Sequence, residues 1–472
     1  MNADTREKER AFFEAERKRV PHLFERSPMV DSKEFLEHIG VTGQKEDLPT
    51  GYLKLMPQDF IVEEISKDGL LHSVDFEKEA QQKDLGTGPT LYADVVKFGI
   101  STFQVQEQVA ELFHIPTKDI GYAGIKDAAA LTSQFMSMRG VSPDTDLEKV
   151  KAENWFLKNF FRGKGVVANG DLKGNRFVIT IRLQDSLSET QISEIQEKLE
   201  KIQEEGFWNF FSFQRFGTPR LLSHKLGLLI IKGNFEEAVK LFLSHQSKRE
   251  LPYFKNIRSE IERQWGDWKT IQGLIDQFPY HFSIELKFIN HLVEHPTDFL
   301  GALHTVPEQV RLWIYAYDSY LFNRKLSQLI QTGEVPFELP LLTSFNPKDW
   351  EPYQELLKED GLDVPSRHYK KFPFVRVASR TWPVLQQVEI HNKALQDKLA
   401  VFAFSLPKGT YATTFLMNFF TLASGLPMVS GISHEELDAK ALLQLGSLQS
   451  TLEQFQDVLR ARKQDIERNA EV

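Results

Sequence analysis

The spacing of apolar positions divides the chain into three regions. Phe60-Ile61-Val62-Glu63-Glu64 reads as a short strand, and Leu91–Lys97 alternates like a strand with one face buried. Arg176–Leu183 alternates again, with Phe177, Ile179, Ile181 and Leu183 on one side. Between these lie helical spacings. Thr102–Phe113 carries apolar residues at 103, 105, 109, 112 and 113 and stops before Pro116; Ile192–Ile202 is the second. From about Leu221 to Gly361 the pattern becomes helical throughout: Phe235–Leu243, Ile284–Leu292, Val306–Leu329 and Trp350–Leu357. Strand-type residues return after Arg376, at Val384-Leu385, Val388-Glu389-Ile390 and Leu399–Leu406. An α+β region thus flanks a helical middle, as an inserted domain would leave it. The ends differ from both. Residues 1 to about 47 form a charged extension whose helical start, around Ala11, Phe12 and Ala15, is broken by Pro21 and Pro28; a docking arm is expected. Glu435–Asn469 reads as a polar helix with a thin apolar stripe.

At 472 residues the chain is too long for a single core. It has no cysteine, which removes disulfides, thiolate zinc sites and a cysteine nucleophile. The first residues are charged with both signs and lack an apolar run, so no signal peptide is expected, and a cytoplasmic setting is. The most apolar window, Thr413–Ile432, is interrupted by Asn418, Ser424, Gly425, Pro427, Ser430 and Gly431, so it reads as buried core and no membrane association is expected. A net charge of −9 opposes non-specific nucleic-acid binding but leaves room for a local basic face. One candidate group is Lys158, Arg162, Lys164, Lys173, Arg176, Arg182, Arg215, Arg220 and Lys225; another is Arg367, His368, Lys370, Lys371, Arg376 and Arg380. From charge alone both read as solvated surface. No Gly-x-x-x-x-Gly-Lys-[Ser/Thr] loop and no His-Glu-x-x-His occurs, and Gly86-Thr87-Gly88 lacks a third glycine. His291 and His295 stand four apart but read as a helix end. Neither a metal nor a cofactor is expected.

Two clusters remain unusual. Gly121-Tyr122-Ala123-Gly124-Ile125-Lys126-Asp127 runs through three alanines to Thr132 and Gln134, an acidic residue among small ones that allow close backbone approach. Asn209-Phe210-Phe211-Ser212-Phe213-Gln214-Arg215-Phe216-Gly217 sets aromatics beside an amide and a guanidinium. The pair suggests a reactive carboxylate and an aromatic platform for a planar ligand. If the first segment is extended, Lys126 and Asp127 point to opposite faces, and Asp127 needs another cation to stay ionised. Lys54, in Lys54-x-x-x-x-Asp59-Phe60-x-Val62-Glu63-Glu64, is a candidate; by itself that stretch reads as an exposed strand of mixed charge. Packing suffices to explain Phe210, Phe213 and Phe216.

These motifs, with Leu172-Lys173-Gly174-Asn175-Arg176-Phe177 and Leu406-Pro407-Lys408-Gly409-Thr410-Tyr411-Ala412-Thr413-Thr414, occur in the order found in the TruD family of tRNA pseudouridine synthases. The chain resembles that family from roughly Gly51 to Leu422, most weakly in the helical middle. The resemblance implies isomerisation of a uridine in tRNA, at position 13 in bacterial relatives, without cofactor or metal. It implies Asp127 as catalytic aspartate with Lys54 beside it, and Asn209, Phe211 and Tyr411 lining a uridine pocket. Arg215, Lys173 and Arg176 are candidates to hold phosphates. It also implies a discontinuous catalytic domain, residues 48–218 and 367–430, with an inserted TRUD domain over 219–366; the N-terminal extension and a C-terminal helical tail over 431–472 lie outside the resemblance. A monomer is expected. Three departures stand out. Ala128 and Ala129 occupy positions where the family often has basic residues, and Ser212 replaces a usual glycine. Phe415-Leu416-Met417-Asn418 stands where an Arg-Glu pair is common. Those alanines and the acidic balance motivate an alternative, an RNA-binding or RNA-folding protein that keeps the fold without efficient catalysis. A carboxylate-based sugar hydrolase is more distant, since no second acid is evident.

Overall fold

The computed structural model describes residues 3–25, 28–43, 47–76, 85–147, 150–362, 369–425 and 431–470. Arg367, His368, Pro427 and Ser430 lie outside them, as does the expected boundary at 366. The chain forms two compact units: residues 28–31, 47–207 and 386–472 in one, and 1–27, 32–46 and 208–385 in the other.

The first unit is α+β, built on a sheet whose twelve strands include Thr50–Tyr52, Phe60–Ser66, Thr90–Phe98, Leu131–Arg139, Trp155–Gly163, Leu172–Leu183 and Leu399–Pro407. Leu172–Leu183 lies between Phe60–Ser66 and Leu399–Pro407, antiparallel to both. Phe60–Ser66 runs parallel to Leu131–Arg139, which then pairs antiparallel with Thr90–Phe98. The period-two alternation decides which face each residue covers. Phe177, Ile179, Ile181 and Leu183 pack with Ile195, Leu199 and Ile202 of the helix Glu189–Glu205 and with Phe415 and Phe419. Val178, Ile61 and Val401 point the other way, onto Ala439, Leu443, Phe455 and Leu459. The expected C-terminal tail is therefore the cover of the second sheet face. It is not one helix but three, Ala439–Leu442, Gln449–Glu453 and Gln456–Ala470. Between the first two, Gly446 adopts a positive φ of 112° and the Asp438 carboxylate accepts the Ala441 and Leu448 amides.

The second unit is helical, with a core running from Leu222 to Val375 around the long helix Pro307–Thr332. The N-terminal helix Ala3–Arg19 belongs to it. Phe12 and Phe13 pack on that core, Phe12 edge-on to Phe278 at 5.2 Å, and Glu16 accepts the Tyr253 hydroxyl at 2.8 Å. The compact unit is wider than the expected 219–366 insertion because Asn209–Phe216 and Thr381–Pro383 make their contacts within it.

Candidate active site

Asp127 lies in the loop between the strands Ile120–Tyr122 and Leu131–Arg139. Its Oδ1 accepts the Ala129 amide at 2.9 Å, an Asx turn that the small alanines leave open to solvent. Its Oδ2 meets the ammonium group of Lys54. Lys54 sits just after the strand Thr50–Tyr52 in left-handed backbone, φ 58°, and its Nζ lies 4.2 Å from the Phe60 ring centroid. Such a conformation is costly for a side-chain-bearing residue and is kept where the surroundings enforce it. The two side chains are 18% and 24% exposed, so the pair is half-buried yet reachable. Burial pushes the Asp127 carboxyl up, but the Lys54 charge and hydrogen bond, the Ala129 amide and Lys97 together hold it below the ordinary range. The group is an accessible carboxylate at neutral pH, fit to act as nucleophile or base.

Lys126 turns away from its neighbour and pairs with the buried Glu64 at 2.5 Å. Its amide donates to Thr102 Oγ1 at 3.0 Å. Gln134 Nε2 donates to the Gly124 carbonyl at 3.1 Å, so the motif's glutamine holds its own loop. Gly121 has a structural reason: a Cβ there would collide with the Val167 carbonyl oxygen, so the close approach is made by the protein's own backbone.

The strand Phe60–Ser66 is not the exposed, mixed-charge strand its sequence suggests. It is interior, and each acid has a partner. Glu63 accepts from Arg176 Nε at 2.6 Å and Lys440 Nζ at 3.0 Å. Burial pushes the Glu63 carboxyl up, and Lys440 and Arg176 more than offset this. Arg182, 1% exposed, grips Asp59 with two bonds of 2.8 and 2.9 Å. Among the residues proposed for a basic surface, Lys158 and Arg182 are therefore buried, and Arg220 lies half-buried beside Glu285 at 3.7 Å. Their charges serve inward carboxylates and carbonyls.

A sequence model of the family described as tRNA pseudouridine synthase D (TruD) matches residues 44–340. The chain belongs to the TruD family. A probable tRNA pseudouridine synthase D of Methanopyrus kandleri is 30% identical over 352 residues, which cover 70% of this chain and 85% of that protein. One from Methanosarcina acetivorans is 28% identical over 426 residues, 78% of this chain and 92% of the relative. A crystal structure described as the putative tRNA pseudouridine synthase D of Methanosarcina mazei superimposes with a TM-score of 0.62 at 26% identity. It covers 81% of this chain and 97% of its own.

The remaining residues that the TruD resemblance points to fall into the two units. In the α+β unit, Tyr411 is half-buried at the start of the helix Ala412–Leu416. Lys173 is exposed, with its carbonyl accepting the Lys408 amide at 3.2 Å, while the Arg176 guanidinium is engaged by Glu63. In the helical unit, Asn209 and Phe211 are each 2% exposed. Asn209 Nδ2 donates to the Pro383 carbonyl at 3.0 Å. Phe211 stacks on Trp382 at 5.3 Å and meets Phe322 edge-on at 5.3 Å, with its backbone clipped by the Asn323 amide at 2.9 and 3.0 Å. The Arg215 guanidinium lies 5.3 Å from the Phe211 ring centroid, and its Nε is buried without a hydrogen-bond partner among the described residues.

The sequence reading missed Lys97. It is fully buried in the strand Thr90–Phe98, and its Nζ donates to the Asp127 carbonyl at 2.6 Å and the Ile100 carbonyl at 2.8 Å. A lysine between the apolar Val95-Val96 and Phe98, just before Gly99, was the available signal.

Proposed function

We propose that this chain isomerises a uridine of tRNA to pseudouridine, with Asp127 as the reacting carboxylate and Lys54 as its counter-ion. The observation that carries the proposal is the half-buried, ionised and reachable Asp127–Lys54 pair at the family motif. The reaction breaks the bond between the ribose C1′ and N1 of the base, rotates the base and joins C1′ to C5, and the C5 hydrogen is replaced by one on N1. No electrons are exchanged with a redox partner. An accessible anion can attack the sugar carbon, as carboxylates do at glycosidic carbons, or remove a proton from the sugar. Lys54 keeps Asp127 charged despite burial, and the Ala129 amide orients its second oxygen. Reaching the glycosidic carbon requires the uridine to leave its stack, at a few kcal/mol. Aromatic stacking of about 1–3 kcal/mol per base offsets this, and Tyr411 is the ring suited to it in this unit. Family resemblance points to tRNA position 13.

The test is pseudouridine mapping at single-nucleotide resolution in unmodified tRNA transcripts, with wild type and Asp127→Asn side by side. The expected result is product at one position, absent with the variant, while RNA binding persists. Tight binding without product across the tRNA pool would favour the RNA-binding reading, which Ala128 and Ala129 beside the carboxylate motivate.

A further inference from the structure

We infer that Lys97 is a positioning residue for Asp127, its ammonium group clamping the aspartate's own carbonyl to the turn that starts the helix Thr102–Phe113. The inference rests on Asp127 being the reacting carboxylate. Lys97 Nζ reaches two backbone oxygens from beneath the loop, those of Asp127 at 2.6 Å and Ile100 at 2.8 Å. The same turn is tied to the loop a second time by Thr102 Oγ1 and the Lys126 amide at 3.0 Å. Fixing the peptide of residue 127 in this way sets where its carboxylate stands relative to the sugar.

The cost of this arrangement argues against mere packing. Lys97 is fully buried, and carbonyls, not a carboxylate, accept its hydrogen bonds. A buried ammonium without a bonded counter-charge is unfavourable, and a neutral donor would tie two carbonyls more cheaply. Its cross-strand neighbours Thr132 and Trp155 carry no charge. The charged groups around it are the Asp127 carboxylate, which favours its ammonium form, and Lys126, which opposes it and is itself paired with Glu64; Lys54 is bonded to the Asp127 carboxylate. Charge-assisted bonds are about twice as strong as neutral ones, so losing the proton loosens the clamp.

Burial lowers the Lys97 ammonium to about 7, against Asp127's pull. Two opposite trends follow. The penalty for burying the charge is fully present below about pH 7 and is relieved as pH rises from there toward the ordinary lysine value, so folding stability from this group rises with pH. The charge strengthens both bonds of the clamp, so turnover falls over the same window.

The experiment measures single-turnover pseudouridine formation on unmodified tRNA with saturating enzyme, from about pH 6 to about pH 9. Wild type, Lys97→Met and Asp127→Asn are compared, with RNA affinity and thermal stability recorded at each pH. Lys97→Met is expected to lower the rate constant about 10- to 100-fold at about pH 6 with unchanged RNA affinity, and to lose the wild-type decline above about pH 7. A Lys97→Met rate and pH profile equal to wild type would overturn the inference. Should that variant not fold, the wild type alone decides: a rate that stays level or climbs where stability climbs overturns it. Activity retained in Asp127→Asn would instead refute the catalytic assignment, so the two failures are distinguishable.

Discussion

Lys54→Met isolates the counter-ion of Asp127, the carboxylate proposed to react. Methionine keeps most of the aliphatic stem and removes the charge, its hydrogen bond to Asp127 and its cation–π contact with the Phe60 ring. In the wild type, Asp127 is held below the ordinary carboxylate range, so its ionisation favours the fold above the unfolded value, and that contribution is lost only as pH falls through the depressed one. Burial is the largest influence on this group and acts upward, and Lys54 is the largest influence acting downward. Without Lys54 only the Ala129 amide and Lys97 still oppose burial, so the carboxyl moves up and its charged form contributes less to the fold. Removing one member of a fully buried pair costs about 3–5 kcal/mol. With side chains 18% and 24% exposed, solvent screening reduces this to about 1–3 kcal/mol. If the cost falls on the ionised, reactive form, the rate near neutral pH drops about 5- to 150-fold. Single-turnover rates against pH, with a thermal melt at each point, measure both quantities. The acid limb of the profile should move to higher pH, with activity partly recovered in alkaline buffer. An acid limb unmoved from the wild-type position would refute the reasoning, because Asp127 would then not depend on Lys54 for its charge.

Two further outcomes bear on Phe211, from a family motif, and on Arg182, from the candidate basic group. Phe211→Ala should cost about 3–5 kcal/mol of stability in urea denaturation, since the ring is 2% exposed between Trp382 and Phe322; a loss below about 1 kcal/mol would place it outside the core. Arg182→Met should also cost about 3–5 kcal/mol, because it strands the buried Asp59 and removes donors from the Ser433 and Glu435 carbonyls; a stability equal to wild type would show the pair to be dispensable.

Much of this protein is legible from local pattern. The helix Thr102–Phe113 occupies the span its spacing predicts, and Arg176–Leu183 lies within the strand Leu172–Leu183 with its apolar side chains on one face. Both rest on a periodicity that one strand or helix displays by itself. The Gly121–Gln134 motif likewise marked Asp127 as unusual, and Lys54 as a possible partner, before any contact was known. Other features had no local signal. The strand Leu131–Arg139 is interior and buries the polar side chains of Thr132, Ser133, Gln134 and Ser137, which no alternating pattern marks as inward, and Trp155–Gly163 closes the edge of the sheet beside Thr90–Phe98. Glu63, Glu64 and Arg182 look like surface charges in sequence, yet each is buried because a distant residue neutralises it: Lys440, Lys126 and Asp59. The C-terminal segment reads as a polar helix because its apolar stripe is thin, and only the uncovered second face of the sheet explains why it packs there. The sequence by itself determined the α+β and helical character of the two regions and the family, and it singled out Asp127 as a candidate. Tertiary structure alone decided which charges are buried, which glycines serve the backbone, and that Lys97 lies beneath Asp127. Ion pairing and burial join residues tens to hundreds of positions apart, and no periodicity along the chain encodes them.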